Sequence, residues 1–211
     1  NQFIIIIYLS VVEHGDFDDD TGEIDYSKEN IVENILPVLK KKKLSNRVDI
    51  FIEKNFFEKE SGFVIGTTVN LFVYVSILPN NELSTEGYRL NYSQHEDVSD
   101  PKDFKHPVVR EVLAKYRSQL GDLTISTMAD APAQSGLGSS SSFTVSLLQS
   151  IKTLLGHTCS PEELAKEAID IEREVLGEAG GYQDQYHAAF GGLALYKFTQ
   201  ERIERRGITN P

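Results

Sequence analysis

Apolar and polar positions alternate along this chain in a few well-separated stretches. From Val64 to Leu78 it reads Val-Ile-Gly-Thr-Thr-Val-Asn-Leu-Phe-Val-Tyr-Val-Ser-Ile-Leu, with β-branched and aromatic residues throughout, which predicts a long strand. Gly87-Tyr-Arg-Leu-Asn-Tyr-Ser93 alternates like an outer strand, and Pro79-Asn-Asn-Glu-Leu-Ser84 supplies turn chemistry between the two. Pro107–Tyr116 changes to helical spacing with proline near the first turn, and Leu123–Met128 alternates again. Phe143, Leu147, Ile151 and Leu154 or Leu155 then keep a helical period.

A second helix has clear punctuation. Ser160-Pro-Glu-Glu163 offers an N-cap, a proline at the first helical position and a capping-box glutamate. Leu164, Ala168, Ile171 and Val175 form the expected buried stripe, and Gly177 is the expected stop. Phe190–Phe198 reads as a returning strand. At the other end, the run from Phe3 to Leu9 reads as a buried strand, without the basic flank or cleavage pattern of a signal peptide. It is followed by Asp16-Phe-Asp-Asp-Asp20 and a helical stretch ending in Lys40–Lys43. The acidic run lacks the glycine and distal glutamate of a calcium loop and reads as a solvated turn. Residues 1–46 therefore stand as an N-terminal segment of uncertain role, and 47–211 as the main domain.

Composition narrows the function. With 40% apolar and 25% charged residues in 211, the chain is of globular type. A net charge of −11 argues against nucleic acid and anionic membrane surfaces as partners. Any nucleotide site must then draw its attraction locally, from backbone amides and a metal ion. The single cysteine, Cys159, fits a reducing, cytoplasmic setting, and no segment reaches membrane-spanning length.

The chemistry concentrates in Pro132-Ala-Gln-Ser-Gly-Leu-Gly-Ser-Ser-Ser-Ser142, a Gly/Ser loop that opens the helix at Phe143. Gly136 and Gly138 let the backbone approach a ligand closely. Unpaired N–H groups of the first helical turn and the helix dipole favour an anion there. Ser139, Ser140, Ser141 and Ser142 add hydroxyl donors and a candidate magnesium ligand. No Lys-Ser or Lys-Thr pair follows, as a Walker motif would need, and the glycines are not spaced as in a dinucleotide fingerprint. The alternative is a flexible linker, which the strand before and the helix after argue against.

Two carboxylates stand near this loop in sequence. Glu172 lies one residue off the apolar stripe of its helix, among Glu162, Glu163, Glu167 and Glu174, and on those surroundings alone reads as a solvated helix glutamate. Asp184 falls in a stretch between Gly180-Gly181 and Gly191-Gly192, read as a loop, where a site residue and an ordinary turn aspartate are both open.

The 132–142 loop resembles the second motif of the GHMP kinases, the superfamily of galactokinase, homoserine kinase and mevalonate kinase. Glu172, with Asp184 twelve residues later inside Gly181-Tyr-Gln-Asp-Gln185, is similar to the galactokinase arrangement of a metal-binding glutamate ahead of Gly-x-x-Asp-Gln. Within the superfamily the chain resembles the D-glycero-D-manno-heptose 7-phosphate kinases. The resemblance rests on Tyr92-Ser-x-x-Glu96, His106-Pro-x-Val-Arg-Glu111, Gly136–Val145, Leu176-Gly-Glu178 and Gln183–Gly192, and covers about residues 60–198. The family's first motif, an Arg before a Gly-Gly-Gly-Thr-Asp loop, should precede Gly62, where Phe51-Ile-Glu-Lys-Asn-Phe56 has no glycine. Its third motif belongs to a C-terminal half expected after residue 211.

The resemblance implies an α/β fold of the α+β type, a mixed or antiparallel sheet with helices on one side. This is the ribosomal-protein-S5-like topology of the GHMP N-terminal domain, with its left-handed crossover. It also implies ATP-dependent phosphorylation of a sugar hydroxyl, here O1 of a heptose 7-phosphate, with a fucose or galactose kinase or a catalytically silent ATP-binding relative as alternatives. Pro132, Gln134, Ser135, Gly136, Leu137, Gly138 and Ser139–Ser142 would hold ATP. Ser140 and Glu172 would ligate Mg2+, Asp184 would be the catalytic carboxylate, and Gly181, Gln183 and Asp184 would meet the sugar or sugar phosphate.

Overall fold

The computed structural model describes residues 2–7, 62–80, 87–130, 137–199 and 201–208. The acidic turn at 16–20, the helical stretch before Lys43, the segment 47–56 and the loop positions Pro132, Gln134, Ser135 and Gly136 lie outside these residues.

Among the described residues, seven strands form one sheet: β1 (Gln2–Ile7), β2 (Gly62–Pro79), β3 (Tyr88–Asn91), β4 (His95–Val98), β5 (Leu123–Ala129), β6 (Leu193–Phe198) and β7 (Ile203–Gly207). Their order is β4-β3-β5-β2-β6-β7, with β1 also on β2. The long, β-branched β2 is the organising strand. Residues 62–67 pair with β6, 65–72 with β1, and 73–79 with β5, all antiparallel. The N-terminal strand thus joins the same sheet as the rest. β3 runs parallel to β5, so the sheet is mixed. The helix α1 (Pro107–Tyr116) lies in the crossover connection that a parallel pair requires.

Two strands escape the hydrophobic pattern. His95-Glu-Asp-Val98 and Ile203-Glu-Arg-Arg-Gly207 lie at the two ends of the strand order and are mostly charged, a composition that protects a sheet edge from further pairing.

The helices lie on one face. Val73, Leu123 and Ile125 are buried beneath them, whereas Tyr74, Leu78 and Met128 are exposed on the other side. The helix α2 (Ser139–Leu154) is the central one, packed against β2 and against α1, α3 (Pro161–Ile169) and α4 (Gln183–Phe190). Every residue from Ser141 to Leu148 is buried, so small residues such as Ser142 and Ser146 share the interior with Phe143, Leu147 and Leu148. The capping box at α3 forms as expected: Ser160 Oγ accepts the Glu163 N–H at 3.2 Å, and the Glu163 carboxylate accepts the Ser160 N–H at 2.7 Å. One carboxylate then ties three helices together. Glu167 accepts from Tyr116 Oη at 2.6 Å and pairs with Lys152 at 2.8 Å and Lys115 at 2.9 Å.

The second helix is not uniform as its stripe suggested. It is α-helical only to Ile169 and then widens into a π-helical turn over Asp170–Val175. The wider turn changes the phase of the side chains that follow. Val175, expected inside, is 54% exposed, and Glu172, read as solvated, is fully buried.

His187 on α4 is also fully buried, with neither ring nitrogen hydrogen-bonded, and meets Tyr196 edge-on at 4.7 Å. Burial, aided by Arg205, lowers its pKa to about 4. The folded state thus holds the ring neutral, while an unfolded chain takes up the proton near pH 6.5. Stability from this group is complete above that pH and is lost as pH falls towards 4, by up to about 3 kcal/mol. Urea unfolding of parent and His187→Asn proteins between pH 7.5 and 4.5 should show the parent losing this extra increment on acidification.

Candidate active site

The site forms where α2, the π-helical turn and α4 meet. The residue before α2, Gly138, has φ 64° and ψ 27°. A side chain is strained in that left-handed conformation, so glycine is needed to turn the loop into the helix. The Ser142 N–H closes the first turn on the Gly138 carbonyl at 3.0 Å. The preceding N–H groups have no intrahelical acceptor and form the positive end of the helix. Leu137 packs on the main core, Ser140 is exposed, and Ser141 and Ser142 are buried.

Ser141 is turned to a second element. Its hydroxyl donates to Glu172 Oε2 at 2.9 Å. The π-helical turn is closed by the Leu176 N–H on the Ile171 carbonyl at 2.9 Å, an i to i+5 bond. Such insertions are frequent at functional sites because they re-aim a side chain. Here the re-aimed side chain is a carboxylate, with its Oε1 buried and without a hydrogen-bond partner.

The next residue fixes the loop between the turn and α4. Arg173 donates from Nε to the Gly181 carbonyl at 3.3 Å and from Nη1 to the carbonyls of Glu178 and Ala179 at 3.4 Å. Gly180 has φ +142°, and a Cβ there would lie 3.0 Å from Arg173 Nη2. The glycines ahead of Asp184 are therefore spent on wrapping backbone around a guanidinium.

Asp184 stands in the first turn of α4, not in a loop as its glycine-rich flanks suggested; Tyr182 is the N-cap, and helix formation begins at Gln183. Its Oδ1 is buried and unpaired. Its pKa is raised to about 6, chiefly by burial and then by the charge of Glu172, with Arg173 acting in the opposite sense. Gln183 and Gln185 on the same turn are buried, and Gln185 Nε2 donates to Ser141 Oγ at 3.1 Å and to Glu172 Oε2.

Of the residues singled out from the sequence, Ser141, Ser142, Glu172, Gly181, Gln183 and Asp184 fall in or beside this cluster. Ser140 lies one position before the hydroxyl that reaches Glu172. Arg173 and Gln185 were not singled out. Gln185 was legible inside the Gln-Asp-Gln run, whereas nothing in an exposed-looking Glu-Arg pair marks Arg173 as an inward clamp.

The cluster suits an anion beside a cation. Orphan amides open α2, and two buried carboxylate oxygens, on Glu172 and Asp184, have no protein donor. Among the described residues no group of three or more His, Cys, Asp or Glu could hold a metal by itself. A hard cation here would take most of its oxygen ligands from phosphate and water. No helix among the described residues is long and apolar enough to cross a membrane.

Residues 105–192 match the model of the GHMP kinases N terminal domain. The D-glycero-alpha-D-manno-heptose 7-phosphate kinase of Campylobacter jejuni is 29% identical over 164 residues, covering 74% of this chain and 48% of that protein. The galactokinase of Thermotoga maritima is 25% identical over 154 residues, covering 72% and 43%. Among solved structures, a D-glycero-D-manno-heptose 1-phosphate kinase from Bacteriodes thetaiotaomicron superposes with a TM-score of 0.67 at 28% identity, covering 75% of this chain and 55% of that one. The chain spans about half the length of the curated relatives it matches. The segment that resembles the GHMP kinase N-terminal domain, residues 105–192, holds the helix-opening glycine Gly138, Glu172 and Asp184.

Proposed function

We propose that this chain carries the ATP-binding domain of a sugar kinase that transfers the γ-phosphoryl group of ATP to O1 of D-glycero-D-manno-heptose 7-phosphate in the cytoplasm. The observation that carries the proposal is the meeting of Glu172 and Asp184, each with an unpaired buried oxygen, beside the amide-rich start of α2. Residues 132–142 hold the phosphates through backbone N–H groups and serine hydroxyls. Ser140, exposed while Ser141 is engaged by Glu172, and Glu172 itself would hold Mg2+. That ion, when bound, supplies charge neutralisation for the phosphates.

Asp184 accepts the proton of the sugar hydroxyl as its oxygen bonds to the γ-phosphorus, and the bond from that phosphorus to the β–γ bridging oxygen breaks to release ADP. With a pKa near 6 the carboxylate is mostly ionised at neutral pH and ready to take that proton. Gly181 and Gln183 lie beside it and would contact the sugar. The heptose assignment rests on the similarity to the Campylobacter jejuni kinase. A second acceptor class, free hexoses, is favoured by the similarity to galactokinase.

Calorimetry of the full-length protein with a non-hydrolysable ATP analogue and Mg2+, followed by coupled assays on heptose 7-phosphate, galactose and fucose, tests the proposal. Binding of the analogue and turnover of heptose phosphate are expected. Absence of analogue binding would remove the kinase assignment, and turnover of free hexoses alone would move the protein to the second acceptor class.

A further inference from the structure

Three donors crowd one oxygen of Glu172 and leave the other bare. Oε2 accepts the Ser141 hydroxyl at 2.9 Å and the Gln185 amide, and Arg173 Nη2 stands 3.7 Å from it. Oε1 is equally buried and has no partner. An unpaired carboxylate oxygen in the interior is costly, and donors would ordinarily spread over both oxygens to reduce that cost. The one-sided arrangement keeps the carboxylate plane fixed and leaves Oε1 without a partner.

Gln185 is central to it. Its Nε2 bridges Ser141 Oγ and Glu172 Oε2, so the amide closes a ring across α2, the π-helical turn and α4. The amide can face this way only, because its own Oε1 against the carboxylate would set two acceptors together. Gln185 also follows Asp184 directly in the first turn of α4. One hydrogen-bonded ring therefore sets both the rotation of Glu172 and the separation between the two carboxylates.

We propose that Gln185 is a positioning residue: acting with Ser141, it holds Glu172 by Oε2 so that Oε1 alone is presented to a divalent cation. In this role it acts through Glu172, and its amide is engaged by Ser141 and Glu172. The inference rests on the metal-dependent kinase assignment above, and the test separates the two.

Electron paramagnetic resonance titration of the full-length protein with Mn2+, in the presence of a non-hydrolysable ATP analogue, reads the metal site without turnover. Parent protein, Gln185→Leu, Glu172→Gln and the double variant form a cycle. Gln185→Leu is expected to weaken Mn2+ by about tenfold, the scale seen when a group orienting a metal ligand is removed. The double variant should be no weaker than Glu172→Gln alone, because Gln185 has nothing left to position. KM for ATP at saturating metal should stay within about twofold of the parent value. Unchanged Mn2+ affinity in Gln185→Leu, or effects in the cycle that simply add, overturns the inference and leaves the kinase assignment standing. A parent that binds no Mn2+ with the analogue overturns the kinase assignment itself. If Gln185→Leu does not fold, Ser141→Ala decides: a loss of about threefold or more supports the inference, and parental affinity overturns it.

Discussion

The Asp184→Asn protein is expected to bind ATP analogues within about twofold of the parent and to transfer the phosphoryl group at least about a hundredfold more slowly, the usual scale for a positioned acid–base group. Asn has the same shape and can still meet a hydroxyl through hydrogen bonds. It lacks the negative charge that draws the proton off as the new O–P bond forms. Binding should survive because the proposed phosphate site is the start of α2, not the first turn of α4. The substitution also removes a buried charge beside Glu172, whose repulsion and burial together raise the Asp184 pKa to about 6. Folding stability at neutral pH should therefore rise or stay level, so a slow Asn variant cannot be attributed to unfolding. Single-turnover measurements with saturating ATP separate the chemical step from binding. A variant that keeps most of the parent rate would take Asp184 out of the chemistry.

The second large effect falls on stability. Gly66 lies in the part of β2 that is paired on both edges, with Ile6 of β1 and Ala194 of β6. A Cβ there would press into the buried His187 ring, lying 2.7 Å from its Cε1 and nearer still to Nε2. The strand cannot withdraw without breaking both ladders, and the ring cannot withdraw because Tyr196 packs against it. Gly66→Ala should therefore cost about 3 kcal/mol, the upper end of ordinary overpacking. Urea unfolding at pH 7.5 measures it. In a His187→Ala background the ring is gone, and adding Gly66→Ala should then cost less than about 1 kcal/mol. A full cost in both backgrounds would place the strain elsewhere.

Much of this architecture is legible in the chain because its apolar residues keep a clean period wherever one face is buried. The strand at 64–78, the helix at 107–116 and the capping box at Ser160 all follow that logic. It fails where burial is decided by polar groups. Glu172 looks solvated because four other glutamates share its helix, and only the change from α to π winding turns it inward. Val175 looks buried for the same reason in reverse. Gln-Asp-Gln looks like loop because the glycines around it suggest turns, yet the pair before it passes backbone around Arg173. β4 and β7 are invisible to hydrophobic pattern since edge strands carry charge. The glycine that turns the chain into α2 is readable from sequence because the left-handed conformation at Gly138 requires that residue type. The hydrogen-bonded ring of Ser141, Glu172 and Gln185 joins residues up to 44 positions apart, and no local pattern encodes it.

The division of β2 between its partners has an evolutionary consequence. Its first part, with β6, underlies the small cluster of Val64, Ala165, Tyr186, Ala194, Tyr196 and Phe198, on which the helix bearing Asp184 rests. Its second part, with β5, underlies the larger cluster that holds the helix opened by Gly138. Substitutions in the small cluster would act first on α4, and since α4 also reaches the larger cluster through Ala188 and α2 through Gln185, they would move Asp184 and the Gln185 ring together. Under the proposed function, a lineage with this scaffold could retune the acceptor end of the site from a distance, by repacking half a dozen apolar and aromatic side chains beneath α4.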